Sequence, residues 1–441
     1  MPILYQLHQN KEILNFTSSE VSYDQNTTTI ITGKNSVGKS RLLRSIIIDC
    51  LQSDLFNNII AISNTQYHKF PSYRDISNNR FSNTYKYKRL AFEARPSPIR
   101  YSSEYYRRNN ITLPYDSFIH NFLYQENIRF LFKTTSTNLN FLECIDFFIE
   151  QLSENYEIKL TLLKILNFLS MDDFIRCEVS HIGLTKSFQE INKKIEEYLE
   201  SEDNIEYTDL NNLLLLKESI LSYRELRNFS LLNLDKDQLR SLSFLIKNGL
   251  IKTRKVTFSK NKNLLNYNDL SSGELAILSL ILSLASTIQN DSVICIDEPE
   301  LNLHPEWQEK IIQLIEIVSN NYSGCHFFIA THSPQIISGA NSNNTFILDL
   351  SRNRTNHISK FKHKSSDFQL SEAFNFPGNN NEYLIRKLIV ILNKINNEED
   401  LYLDDENFNL LNHVKKLIEN NKIDKDDKAS IIFNLIKSYG V

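Results

Sequence analysis

Apolar and polar positions divide the chain into regimes of different period. Up to about residue 72, strand-like runs feed a glycine turn and then a helix. The run TTTIITG (Thr27 to Gly33) is β-branched, and Leu42, Leu43, Ile46 and Ile47 behind the turn fall at the three-and-four spacing of a helix. From about 115 to 254, leucines and isoleucines recur at helical spacing. No heptad is sustained over several repeats there, which predicts helices and no long coiled coil. From 255 the alternation returns. KVTFSK, SVICIDEP, CHFFIATH and NTFILDL read as strands, while LSSGELAILSLILSLA and HPEWQEKIIQLIEIVSNN read as helices. Strands alternating with helices predict a parallel sheet covered on both faces. The last 70 residues read as amphipathic helices with acidic clusters at 398–400 and 404–406, and no internal repeat is found.

Composition narrows the picture. Apolar residues at 41% and charged residues at 23% suit a globular chain, and nine Gly and nine Pro are too few for a long flexible linker. A net charge of −4 excludes a uniformly basic nucleic-acid binder and leaves only a local patch. One segment qualifies. Residues 73–108 carry nine basic against three acidic residues, a local charge of +6, with eight aromatics interleaved. Such a segment fits the phosphates and bases of DNA or RNA, and fits equally a solvated face that meets acidic stretches or a partner protein. Five widely spaced cysteines (Cys50, Cys144, Cys177, Cys295, Cys325) without a C-x-x-C pair read as buried free thiols of a reducing compartment. The N-terminus lacks the pattern of a signal peptide, and the longest apolar run, near 275–285, is too short to span a bilayer. A cytoplasmic protein without a membrane partner is expected.

The chemistry is concentrated in four places. Gly33-Lys34-Asn35-Ser36-Val37-Gly38-Lys39-Ser40 matches G-x-x-x-x-G-K-[ST] between a strand and a helix. Glycines let such a turn aim its N–H groups at phosphate oxygens, and the helix adds its positive end. Lys39 is expected on the β- and γ-phosphates of ATP and Ser40 on Mg²⁺. SVICIDEP ends in Asp297, expected to act on Mg²⁺, and Glu298, expected to position the attacking water. Leu270-Ser271-Ser272-Gly273-Glu274 opens a helix with the makings of a capping box, 24 residues before Asp297. His332 follows the strand CHFFIA, 35 residues after Asp297.

In this order and spacing, the four motifs resemble those of ABC-type ATPases. The resemblance implies that Ser271 and Gly273 contact the γ-phosphate of ATP held by another subunit's P-loop, and that His332 contacts the same phosphate. Ser272 departs from the commoner glycine. The run Glu300-Leu301-Asn302-Leu303-His304-Pro305 resembles the SMC, RecF and overcoming-lysogenisation-defect groups rather than membrane transporters. HPEWQEK, GCHFFIATHSPQII and ISNTQYHKFP are more narrowly similar to the PtuA-type ATPase subunits of Septu and related retron antiphage systems, and the last supplies Gln66 as a candidate Mg²⁺ sensor. The implied fold is α/β: an ABC-ATPase P-loop head with a parallel sheet core (1–110 and 255–365), interrupted by a helical insertion lobe (111–254) and followed by a helical C-terminal segment for assembly or partner binding (366–441). The implied function is ATP binding and hydrolysis by a homodimer or higher homo-oligomer that controls a separate effector, an HNH-type nuclease, in antiphage defence. A RecF- or SMC-like repair ATPase, or an ATPase holding a Toprim effector as in PARIS, are the competing readings. A Toprim centre within the chain is disfavoured, because no apolar strand precedes Glu382 or the pair Asp404 and Asp405. No HNH or zinc-ligand spacing appears.

Overall fold

The structure, a computed structural model, describes residues 25–34, 36–53, 55–63, 68–71, 86–91, 141–181, 207–222, 225–247, 250–340, 343–362, 364–396 and 404–439, with shorter pieces at 4, 6–9, 12–17, 21, 75, 193, 196 and 200. Its centre is a seven-stranded sheet. In chain order the strands are β3 (Thr27–Thr32), β4 (Asn58–Ser63), β5 (Tyr87–Ala91), β10 (Ser292–Asp297), β11 (His326–Ala330), β12 (Thr345–Asp349) and β13 (Arg354–His357). Across the sheet they run β13-β12-β3-β11-β10-β4-β5. All neighbours are parallel except β12 and β13.

Side chains alternate between two faces, as the pleat demands. Ile31, Ile59, Val293, Cys295, Phe328 and Leu348 meet Leu42, Leu43, Ile46 and Ile47 of the helix Lys39–Gln52. Leu7 and Leu14 of a hairpin, β1 (Gln6–Gln9) and β2 (Glu12–Asn15), join the same core. Ile30, Ile60, Ile294, Ile296, Phe327 and Ile347 point the other way, into a core shared with the helices Ser272–Ala285, Pro305–Ser319 and Pro334–Gly339. Both faces are thus covered, which is why β3, β4, β10, β11 and β12 are buried along their whole length.

The lobe expected to be helical, 111–254, is not purely so. Its described residues form the helices Phe141–Glu154, Ile158–Phe168, Tyr207–Ser222 and Lys236–Lys247, and also contribute to an antiparallel sheet that continues through the strand expected at 255–260. That sheet is ordered β7-β6-β8-β9, with β6 Ile175–His181, β7 Asn228–Ser230, β8 Ile251–Lys260 and β9 Asn263–Asn266. Ile175, Cys177, Val256 and Phe258 extend the second core into it. Asp146 pins the helix to the sheet by accepting from the Thr253 N–H at 2.9 Å. The helices Glu382–Asn396, Asp405–Glu419 and Lys428–Ser438 close a third core around Leu384, Leu388, Val414, Leu417 and Ile436. All five cysteines are buried free thiols. Among the described residues no helix is long and apolar enough to cross a membrane.

Candidate functional site

Register brings the candidates to one edge of the sheet. Asp297 ends β10 beside Ala330 of β11, and Ala330 lies beside Ile31 of β3. The segments leaving these three strands therefore emerge together, at their carboxyl ends. The helix that follows β3 packs on one face of the sheet and the helix that follows β11 on the other, so the turns leaving these adjacent strands diverge and leave a crevice, the usual ligand position in open α/β sheets.

Among the described residues of the turn from Gly33 to Ser40, Gly33 at 142°, Ser36 at 66° and Gly38 at 106° have positive φ. A Cβ on Gly33 would meet Val37 Cγ1 at 2.9 Å and Ser351 Oγ at 3.2 Å, so the turn closes only with glycine there. Val37 N–H donates to Lys34 O at 3.3 Å. The helix that follows carries no acidic residue in its first turn and no side-chain cap, leaving its positive end uncompensated. Lys39 Nζ donates to Gly33 O at 3.0 Å and approaches His332 Nε2 at 2.6 Å. Burial lowers the Lys39 pKa to about 8, against the pull of Glu298, Glu300 and Asp297. His332 is lowered to about 4 by burial and by the Lys39 charge, so its ring is a neutral acceptor for that ammonium.

On the carboxylate side, Ser40 Oγ donates to Asp297 Oδ1 at 3.2 Å. Asp297 is 2% exposed, and burial raises its pKa to about 6. Glu298 takes a left-handed φ of 50°, with its N–H on Ala330 O at 2.9 Å and its Oε1 3.8 Å from His332 Nε2. Lys39, Ser40, Asp297, Glu298 and His332 thus form one constellation. Sequence reasoning missed a sixth member. Glu300 Oε1 accepts the His332 backbone N–H at 2.6 Å, its Oε2 is buried without a hydrogen-bond partner, and burial raises its pKa. Its signal was the third carboxylate in Asp297-Glu298-Pro299-Glu300.

Ser271 and Gly273 stand apart from this group. Ser271 caps the helix Ser272–Ala285 and bonds to Glu274, while Gly273 packs against Trp307 and Asn302. Asn35 and Gln66 lie outside the described residues, as does most of the basic segment. Of that segment, Tyr87–Ala91 forms the edge strand β5. Glu382, Asp404 and Asp405 lie at helix starts, Asp404 accepting the Asn407 N–H at 2.8 Å as an N-cap. Capping therefore accounts for Asp404.

A family model described as "AAA domain, putative AbiEii toxin, Type IV TA system" matches residues 51–338, from the end of the P-loop helix to the helix after His332. The "Retron Ec83 probable ATPase" of Escherichia coli is 31% identical over 153 residues, covering 31% of this chain and 27% of that protein. The "Retron Vc95 probable ATPase" of Vibrio cholerae serotype O1 biovar El Tor is 29% identical over 105 residues, covering 21% and 20%. The aligned part is thus about a quarter or less of either relative's length.

Proposed function

Because the chain belongs to this AAA-domain family, we propose that it is an ABC-type ATPase that binds ATP and Mg²⁺ between two copies of itself and thereby controls a separate effector, a nuclease, in antiphage defence. The observation that carries the ATPase reading is the convergence of Lys39, His332 and Glu298 at the carboxyl ends of β3, β11 and β10. The two retron ATPases support the defence setting.

In this reading the N–H groups of the turn 33–40 hold the phosphates, and Lys39 exchanges Gly33 O and His332 for phosphate oxygens. A hydroxyl paired with a buried carboxylate suits Mg²⁺, which takes one or two protein oxygens beside those of phosphate and water. Ser40 and Asp297 are that pair, and the ion would neutralise phosphate charge. Glu298 orients the attacking water. Once Lys39 has turned away, His332 is free to donate to the γ-phosphate. Ser271 and Gly273 of a second copy close the site from the far side. Titration calorimetry with ATP and Mg²⁺ tests the assignment: the wild type should bind and Lys39→Ala should not. Equal affinities would remove the P-loop role.

A further inference from the structure

The start of the helix Ser272–Ala285 is more tightly wired than a helix cap requires. Ser271 Oγ donates to Glu274 Oε2 at 2.7 Å, and the Ser271 N–H donates to the same oxygen at 2.9 Å. The Glu274 N–H returns to Ser271 Oγ at 3.3 Å, completing a capping box. The other carboxylate oxygen, Oε1, accepts from Lys260 Nζ at 2.6 Å. Lys260 is the last residue of β8. Glu274 is buried, and although burial opposes its ionisation, Lys260 and Ser271 hold it below the usual carboxylate range.

This wiring matters to any anion that approaches the helix start. The single hydroxyl proton of Ser271 is committed to Glu274, so Ser271 has none to offer a phosphate until it turns away. Glu274 also sets a negative charge in the first turn, where a helix would otherwise attract an anion. Lys260 cancels that charge and holds the carboxylate from its other side. The backbone has little room to adjust: a Cβ on Gly273 would lie 2.9 Å from Trp307 Cζ3 and 3.1 Å from Asn302 O. The Ser271 rotamer is the movable part.

Resting on the composite site proposed above, we infer that Lys260 and Glu274 are positioning residues for the phosphate contact made across the subunit interface. Lys260 retains Glu274 through Oε1, and Ser271 then turns its hydroxyl from Oε2 to the γ-phosphate carried by the second copy. The pair governs how much ATP is needed to join two copies, while the chemistry stays with Glu298.

The test compares the full chain with Lys260→Met, Glu274→Gln and the double variant. It reads ATP-dependent assembly by sedimentation, and KM and kcat by phosphate release. Lys260→Met leaves an uncompensated carboxylate beside the incoming phosphate and should raise the ATP needed for half-maximal assembly, and KM, by roughly tenfold. Glu274→Gln still closes the capping box. It should lower the same two quantities by about threefold, the gain from losing one repelling charge. The double variant should behave like Glu274→Gln alone, because no carboxylate remains to be neutralised. Lys260→Arg should restore the wild-type values. A purely structural role predicts the opposite pattern: Glu274→Gln weakens assembly, and the double variant is worse than either single one. That pattern, or four indistinguishable proteins in an assay where the wild type assembles, overturns the proposal alone. A wild type that binds ATP yet never assembles overturns the composite site and this proposal with it.

Discussion

Glu298 adopts a backbone conformation that costs an ordinary residue about 1 kcal/mol or more. Its N–H on Ala330 O fixes the turn, and its carboxylate lies 3.8 Å from His332 Nε2. Glu298→Gln keeps this shape and leaves Ser40 and Asp297 intact. ATP binding should therefore persist while turnover falls by about a hundredfold, measured as phosphate release; wild-type turnover would remove Glu298 from the water-orienting role. A different imidazole sits at the other end of β11. His326 pairs its Nε2 with Thr29 Oγ1 at 2.9 Å, stacks on Phe328, and leaves Nδ1 buried without a hydrogen-bond partner. Burial lowers its pKa to about 3, against about 6.5 in an unfolded chain. Below pH ~6.5 the unfolded chain gains a proton that the folded one refuses, so stability falls as pH falls from about 6.5 toward 3, by on the order of 5 kcal/mol for this site. His326→Gln should flatten the melting temperature between about pH 6.5 and 4, and curves parallel to the wild type would acquit the ring. Lys39, Asp297, Glu298 and His332 were legible because each follows an apolar strand in a spaced motif. His326 was not, since in CHFFIATH nothing local shows that its ring is buried against Thr29 and Phe328.

The helices Pro305–Ser319 and Pro334–Gly339 touch backbone to backbone. A Cβ on Gly339 would stand 1.6 Å from Glu309 O, an approach no side chain permits. Gly339→Ala must push the two helices apart. Overpacking of side chains alone costs about 1–3 kcal/mol, and here the obstacle is main chain, so a drop in melting temperature of several degrees is expected from thermal unfolding. The shorter helix begins two residues after His332, so ATP turnover should fall with it, while the neighbouring Ser338→Ala serves as a control that changes neither. An unaltered melting curve would mean that the helices are not in such contact. Elements built on one dominant period were readable in advance: β3, β10, β11 and β12 as apolar runs, and the helices around Leu42 and Ile311 from their stripes. The strand β6 was lost inside a leucine-rich stretch. Its alternation of buried Ile175, Cys177 and Val179 with polar residues spans only seven positions and is flanked by long helical spacings. β5 was hidden because its Lys88 and Arg89 read as part of a charged segment; only its pairing with β4 makes it a strand.

At the scale of the molecule, the P-loop and the helix start at Ser271 belong to the same chain but not to the same cluster of side chains. The composite reading assigns them to opposite halves of each site, so two copies form two sites. Chains carrying Lys39→Ala and chains carrying Ser271→Arg should each be inactive alone. Mixed heterodimers should recover one intact site and measurable hydrolysis. If heterodimers form and even a single turnover fails, the composite arrangement is wrong. The sequence indicated such a head but not how its parts are joined, because pairing between distant strands leaves no local trace. That pairing bears on how the protein is made. β3, which launches the P-loop, has no neighbour but β11 and β12, and Thr29 meets His326 across 297 residues of chain. A ribosome adding roughly 5–20 residues per second needs on the order of 15–60 s to deliver the missing neighbour. Until then the nascent turn 33–40 has no sheet to hold its shape, so chains that stop before β11 and β12 should be unable to hold nucleotide.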